Sequence, residues 1–357
     1  MNIYENAKKM NGMFIDNAVQ NNTPRIISYP RKITIHLTNR CNYNCIMCGN
    51  SKLKKHDLSI EAFEEIKPIL PFVSNVTLLG GEPLVYSKVD EILEILCYYG
   101  AKPAFITNGS LLTPERSYSI VANGVERITV SIDAARAKTY QQIRRGGNFL
   151  KVIKNIANLS NEKIKQGASK PRITFNYVAM LKNINEFKKA VVLAHELGVE
   201  QVSGFHILVD NEKMVKESLF FHQQQSNECF YEAKSIGDNL GVKVNIPPLF
   251  GEEVKAEDSC KRCIEPWNTL MLQVDGNIRS CCNMEMAGNV LNENFKTLWN
   301  NEIFMRYRKT VNTDNELESC RYCHMGMKTP NVNKLETHFR PKVRNAVRNN
   351  INSFVTL

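Results

Sequence analysis

Three cysteines stand at CxxxCxxC spacing in one short run, Cys41-Asn42-Tyr43-Asn44-Cys45-Ile46-Met47-Cys48. Thiolates so spaced on a single loop can each take one iron of a four-iron cube, and the fourth iron is then left without a protein ligand. An open iron is a place for chemistry, by the logic that separates catalytic from structural zinc sites. A zinc knuckle or an ordinary electron-transfer cluster is the plainer alternative. Zinc would want a fourth Cys or His close by, and His36 and His56 are poorly spaced for it. A second group comprises Cys260, Cys263, Cys281, Cys282, Cys320 and Cys323. Asp275-Gly276 between β-rich runs signals a hairpin inside it, which makes the region a compact metal clip, open at this point to zinc as well as iron. Cys97 and Cys229 lie in helical stretches and read as buried or bystander thiols.

The chain of 357 residues carries +10 at pH 7, with 43% hydrophobic and 23% charged residues. Such a composition buries a sizeable core and excludes wholesale disorder and fibrous repeats. No apolar run is long enough for a bilayer span, and the N-terminus lacks the apolar core of a secretory signal, so a cytoplasmic location and no membrane partner are expected. A reducing cytosol keeps thiols unpaired, which makes metal the first suspect for eleven cysteines.

The elements that must position the first cysteine loop are short β-rich runs alternating with helical ones, the pattern of parallel strands with crossover helices. Strands are expected at 32–37, 75–79, 103–107, 127–132, 172–178 and 201–207, and helices at 59–70, 88–99, 114–123, 137–159 and 185–197. Six units fall short of the eight that close a full barrel, so the fold class is α/β, a partial (β/α)6 TIM-like barrel followed by a small cysteine-rich α+β module, with its working face at the C-terminal strand ends. The expected divisions are an N-terminal extension 1–30, the barrel 31–209, a bridging segment 210–257 with a short strand in VKVNI, the module 258–327 and a basic tail 328–357.

The cysteine loop directly follows the first strand, and there it resembles the signature of the radical S-adenosylmethionine (SAM) superfamily. Gly80-Gly81-Glu82-Pro83 after the second strand is similar to the family's GGEP motif, whose glycines let the backbone approach the SAM amino group. Thr107-Asn108-Gly109 and Val130-Ser131-Ile132-Asp133 resemble loops that line the SAM pocket, and Ile143-Arg144-Arg145-Gly146-Gly147 resembles a stretch whose arginine meets the SAM carboxylate. The resemblance thus implies a catalytic [4Fe-4S] cluster held by Cys41, Cys45 and Cys48. It implies SAM contacts from Gly80, Gly81, Glu82, Pro83, Asn108, Ser131 and Arg144. The residue before the third cysteine is often aromatic in this family and is Met47 here, an apolar thioether that can also cover the adenine. The implied chemistry is reductive cleavage of SAM to a 5′-deoxyadenosyl radical that abstracts hydrogen from the substrate.

The second group resembles the SPASM and Twitch modules, which carry auxiliary four-iron clusters. A full SPASM module normally uses seven cysteines against six here, which implies one auxiliary [4Fe-4S] cluster, held by Cys263, Cys281, Cys320 and Cys323 with Cys260 and Cys282 as alternates. The combination is similar to the aminocyclitol dehydrogenase type of the butirosin pathway, where such a cluster relays electrons. The implied reaction is an oxidation or epimerisation of a small molecule, a sugar, aminocyclitol or nucleotide-linked sugar, with flavodoxin or ferredoxin as electron donor. The alternative is maturation of a ribosomally made peptide; such enzymes often carry a leader-binding domain before the barrel, where about 30 residues stand here. A third reading, modification of RNA, rests on the tail, where six Lys/Arg and one Glu follow from Lys328 with Phe339 and Phe354 interleaved. Nucleic acid is not the expected partner, because such tails are more often solvated helical faces. His206 at the end of the sixth strand could move a proton but more often such a residue is structural; His324 could replace a ligand; Tyr140 and Arg145 are candidate substrate contacts.

Overall fold

The computed structural model describes residues 3–252, 262–321, 323 and 332–349. Seven parallel strands follow one another across the sheet in chain order: β1 (Lys32–Thr38), β2 (Asn75–Gly80), β3 (Lys102–Thr107), β4 (Arg127–Ser131), β5 (Arg172–Ala179), β6 (Gln201–His206) and β7 (Lys243–Asn245). Alternation within the strands explains why they form a curved, half-covered sheet. Ile33, Ile35, Val76, Leu78, Phe105, Ile128, Val130, Ile173 and Phe175 are all but unexposed and face the crossover helices. Thr34, His36, Thr77, Thr129, Ser131, Thr174 and Asn176 occupy the alternate positions and line the concave lumen. A closed barrel fills its lumen with Val, Ile and Leu; a lumen of hydroxyls and amides is built for water or a polar ligand.

The helices on the convex face are α2 (Ile60–Ile66), α3 (Val89–Tyr98), α4 (Pro114–Ala122), α5 (Ala137–Ile143), α6 (Phe149–Lys165), α7 (Phe187–Glu196) and α8 (Gln223–Leu240), after an N-terminal α1 (Glu5–Gln20). Ser59, Thr113 and Asn148 cap α2, α4 and α6 by accepting from Ala62, Arg116 and Lys151 N–H, satisfying donors that a helix start leaves unpaired. Each helix turns one apolar stripe to the sheet, as with Val89, Ile92, Leu93 and Leu96 on α3.

Three features depart from expectation. The helical run at 137–159 is two helices, parted by a turn at Gly146 (φ +86) and Gly147 that runs beside the cysteine loop. The extension 1–30 contains α1, whose buried stripe of Ile15, Ala18 and Val19 is too small to announce itself while Met10, Met13 and Phe14 stay exposed. The cysteine-rich region also contributes to the barrel sheet: β8 (Thr269–Leu272) lies parallel to β1, pairing Lys32 with Thr269 and Ile35 with Leu272, and β9 (Ile278–Arg279) returns antiparallel to β8. The hairpin turn holds Gly276 at φ +83, a conformation glycine reaches without strain.

The N-terminal segment stitches this region to the barrel. The indole N–H of Trp267 donates to Thr23 O at 2.8 Å and that of Trp299 to Ser28 O at 3.0 Å. Arg308, on α9 (Glu302–Thr310), is unexposed, donates to Pro266 O and Pro24 O, and lies 4.5 Å over the Trp299 ring. At the other end, α10 (Pro341–Asn349) buries Val343 and Val347 in a second apolar cluster with Ile143, Met180, Ile207, Val209 and Phe339. Ile46 and Met47 pack at its edge. Phe339 is fully buried and so offers no face to a base. Cys260, His324, Lys328 and Phe354 lie outside the described residues. No helix of the described residues is long and apolar enough to cross a membrane.

Candidate functional site

The loop after β1 is clamped from three sides. From β2, Gly81 N–H donates to Thr38 O at 2.7 Å and Glu82 N–H to Arg40 O at 2.9 Å. A Cβ on Gly80 would stand 2.1 Å from Thr38 O and one on Gly81 2.1 Å from Arg40 O. The glycines are therefore demanded by the protein itself, because the chain entering the cysteine loop passes directly over them. From β3, Asn108 Nδ2 donates to Asn42 Oδ1 at 2.8 Å, and Asn42 Nδ2 donates to Ser110 Oγ at 2.8 Å. From the turn between α5 and α6, the carbonyls of Arg145 and Ile143 accept from Asn44 and Ile46 N–H at 2.8 and 2.9 Å. Gly147 permits that approach, since a Cβ there would meet Tyr43 and Tyr140 ring carbons at 2.8 Å.

So held, Cys41 and Cys45 are half-buried and Cys48 is exposed. Tyr43 N–H points at Cys41 Sγ and Asn50 N–H at Cys48 Sγ, each at 3.4 Å. Arg144 Nη1 lies 4.0 Å from Cys45 Sγ. Burial pushes the Cys45 thiol up to about 11 against the pull of Arg144, and pushes Cys41 up as well; both give up protons when a metal replaces them. Three thiols with N–H donors and one cation fit a thiolate-bound, negatively charged cluster.

Glu82 and Arg144 occupy deeper positions than a ligand-facing role alone requires. Glu82 is unexposed; Oε1 accepts from Thr107 Oγ1 at 2.7 Å and Oε2 from Asn108 N–H at 2.7 Å. Burial pushes this carboxyl up, and those donors with Leu84 N–H oppose the push. Arg144 is buried against Asp133 with Nη2 2.6 Å from Oδ2. Asp133 Oδ1 also accepts from Val178 N–H at 2.7 Å. Pro83 is buried in the turn that Glu82 caps, and Ser131 ends β4 on the lumen side. Asn42 and Asp133 were not singled out by the residue pattern as structural ties. Asn42 sits unremarked between two cysteine-loop residues, and Asp133 finds its arginine only through the path of α5.

The second group meets in space. Cys263, Cys281, Cys320 and Cys323 line one small cavity together with Glu265, Tyr307 and Glu316. Cys282 does not line it; its thiol turns toward Asn283 Oδ1 at 3.8 Å, because successive residues at the end of β9 point apart. Among the described residues no three Cys, His, Asp or Glu side chains are placed to hold a single metal ion. Thiols arrayed around a cavity suit a cluster better than one zinc. Burial pushes Cys263 to about 12 against a hydrogen bond from the Glu265 backbone, and burial pushes Cys320 to about 11, with Cys281 and then Glu316 adding to the push.

A cavity of about 330 Å³ lies in the barrel lumen and reaches the second group at Cys281. Leu79 and Ile106, which precede the Gly80 turn and the Thr107 loop, line its upper part; Cys281, Ser280 and Glu265 line its side. His206 belongs elsewhere: Nε2 lies 3.1 Å from Ser226 Oγ, and its ring packs on Phe250, Phe230 and His338. Burial and then His338 push it down to about 3, which fits a structural histidine. Tyr140, expected as a substrate contact, is instead fully buried against Phe149. Arg145 is exposed and contributes its carbonyl. Cys97 and Cys229 bond Asn123 O and Asn185 Oδ1, away from both groups.

The radical SAM superfamily model matches residues 35–194, and the iron-sulfur cluster-binding domain called SPASM matches 260–324. An AdoMet-dependent heme synthase of Methanosarcina barkeri is 25% identical over 319 residues, 82% of this chain and 89% of the relative. A GTP 3′,8-cyclase of Pelotomaculum thermopropionicum is 34% identical over 141 residues, 37% of this chain and 42% of the relative. The fold is shared with Streptococcus suis SuiB bound to S-adenosylmethionine, at TM-score 0.65 and 16% identity over 93% of this chain and 80% of that one. It is also shared with anSMEcpe bound to AdoMet, at TM-score 0.62 and 14% identity over 92% and 98%.

Proposed function

Because the chain belongs to the radical SAM superfamily and carries a SPASM iron–sulfur domain, we propose that it abstracts hydrogen from a small polar molecule seated in the barrel lumen. The family brings a catalytic [4Fe-4S] cluster, SAM and an auxiliary cluster. Cys41, Cys45 and Cys48 would hold the first, and Cys263, Cys281, Cys320 and Cys323 the second. When bound, the first cluster and SAM supply a 5′-deoxyadenosyl radical.

The observation that supports the reading is the cavity of about 330 Å³, lined by Thr34, Thr77, Leu79 and Ile106 of the barrel strands and by Cys281 of the second group. A substrate lodged there would touch the second group at Cys281 and extend toward the strand ends that carry the first, so that hydrogen could leave on one side and an electron on the other. The chain's own part is positional. The three clamps fix the Cys41 loop, Glu82 locks β2 to β3, and the hydroxyls of Thr34, Thr77 and Ser131 offer a polar wall. Arg144, paired with Asp133, sets a positive charge behind Cys45. The SAM contacts expected of this chain are Gly80, Gly81, Pro83, Asn108 and Ser131. By their names the heme synthase and GTP cyclase act in small-molecule chemistry, which agrees with this substrate class. An oxidation or epimerisation with a flavodoxin or ferredoxin donor is the accompanying expectation.

The test is anaerobic reconstitution followed by dithionite reduction with SAM. Formation of 5′-deoxyadenosine, raised by a small polar substrate from a screened set, is the expected result. Stimulation by peptides alone would replace this reading with peptide maturation.

A further inference from the structure

The lower rim of the barrel has a character that neither cysteine site uses. Five strands begin there with a basic residue: Lys32 on β1, Lys102 on β3, Arg127 on β4, Arg172 on β5 and Lys243 on β7. The register steps them in twos: Lys32 and Lys102 both lie opposite Asn75, Arg127 and Arg172 face each other with Arg127 beside Ala104, and Lys243 lies opposite Gln201, which pairs with Thr174. Among the described residues none of the five is in an ion pair. The adjacent acids are ion-paired to lysines outside the rim, Glu126 to Lys170 and Glu200 to Lys163, although Lys102 and Arg172 also lie in the field of Glu126.

Two of the five reach the 330 Å³ cavity. Lys32 and Arg127 line the mouth, with Asn75, Thr77 and Thr269 beside them. Arg127 Nε is buried without a hydrogen-bond partner, a state that costs free energy unless a ligand or water supplies an acceptor. Glu265, next to the second cysteine group, is the one acid among the lining residues. Low-dielectric walls lined by one sign of charge focus potential into such a mouth, and a volume of this size suits a small molecule.

We propose that this rim is an anion-binding subsite that holds a phosphoryl group of the substrate, so that the substrate is a phosphorylated or nucleotide-linked small molecule rather than a neutral sugar. The proposal rests on the lumen being the substrate site. Arg127 and Lys32 supply the charge, and Asn75, Thr77 and Thr269 supply neutral donors for the remaining oxygens. The anionic end then lies at the bottom of the barrel while the rest of the molecule extends upward past Thr34 toward Leu79 and Ile106, under the first cysteine loop.

The experiment titrates inorganic pyrophosphate into the reconstituted full-length protein by calorimetry, with succinate and a neutral disaccharide as comparison ligands. Saturable, salt-sensitive pyrophosphate binding is expected. It should weaken at least about tenfold in Arg127→Gln, as loss of a charge-assisted contact requires, recover in Arg127→Lys, and stay unchanged in Lys188→Gln on α7. Absence of binding, equal binding by Arg127→Gln, or tighter binding of succinate overturns the proposal. Displacement of pyrophosphate by a single-stranded RNA oligonucleotide at far lower concentration overturns it in favour of a nucleic-acid surface. SAM cleavage by the wild-type protein is read on the same preparation. Its loss overturns the radical reading, whereas intact cleavage with pyrophosphate binding indifferent to Arg127 overturns the anion subsite alone.

Discussion

The first cysteine site places three thiols on one loop and holds that loop with backbone bonds from β2, the β3 loop and the α5–α6 turn. The second draws thiols from three separate stretches, Cys263, Cys281 and the pair Cys320 and Cys323, which meet because β8 docks on β1 and Arg308 and the two tryptophans tie the module down. Their charge settings also differ. A guanidinium stands behind Cys45, paired with a buried carboxylate, while Glu265 and Glu316 stand beside the second group. The difference teaches that ligand spacing close in sequence is set by covalent geometry, whereas spacing across the chain is only as good as the packing that enforces it. It also suits the proposed division of labour, with one site tuned around a reacting ligand and the other closed.

Substituting the cysteines tests that division most strongly. Cys41→Ala, Cys45→Ala or Cys48→Ala should abolish 5′-deoxyadenosine formation. Cys320→Ala or Cys323→Ala should spare SAM cleavage yet abolish product turnover, with iron falling from about eight to about four per chain. Full turnover in the module variants would show that the second site is no electron relay. A subtler break is Gly81→Ala, whose Cβ would stand 2.1 Å from Arg40 O. Displacing the first loop should cost the first cluster alone, leaving about four irons per chain; loss of both would mean that the sites fold as one unit.

Asp133→Ala removes the partner of a buried arginine and should destabilise the protein by about 3–5 kcal/mol in chemical denaturation. A loss below about 1 kcal/mol would show that the pair behaves as a solvated one. The smallest effect is pH dependence. Burial and then His338 push His206 down to about 3, and burial and then Arg279 push His36 down to about 4. Both folded values lie below the ordinary 6.5, so the native state binds fewer protons than the unfolded one. Their contribution is complete above about pH 6.5 and falls as pH drops toward the folded values, at about 1.4 kcal/mol per pH unit for each histidine. Urea midpoints at pH 7.5 and 5.5 should separate accordingly, and His206→Phe should narrow the gap; equal midpoints would place both rings in water.

Most of the barrel was legible because parallel strands buried on their outer face write their alternation into the sequence, and β1 to β6 start within one residue of where Ile, Val and Phe periodicity puts them. The N-terminal helix was not, since its contribution is a lysine, Lys8, bonding Tyr99 O and Gly100 O and a thin stripe of small residues. The break between α5 and α6 was hidden for a related reason. Gly146 and Gly147 read as a motif, yet their geometry answers to Asn42 and Tyr43, about a hundred residues away.

The sequence by itself determined the first thiol set, the Gly80–Pro83 turn and the alternation that makes an open parallel barrel, because each depends on residues a few positions apart along a covalent backbone. Only the tertiary structure decided that Cys281 rather than Cys282 faces the second cavity, that Arg144 spends its charge on Asp133 beside Cys45, and that Lys32 and Arg127 share one cavity. Those outcomes depend on which side chains a hairpin, a helix path and a strand register bring within a few ångströms, and packing settles that across the whole chain at once.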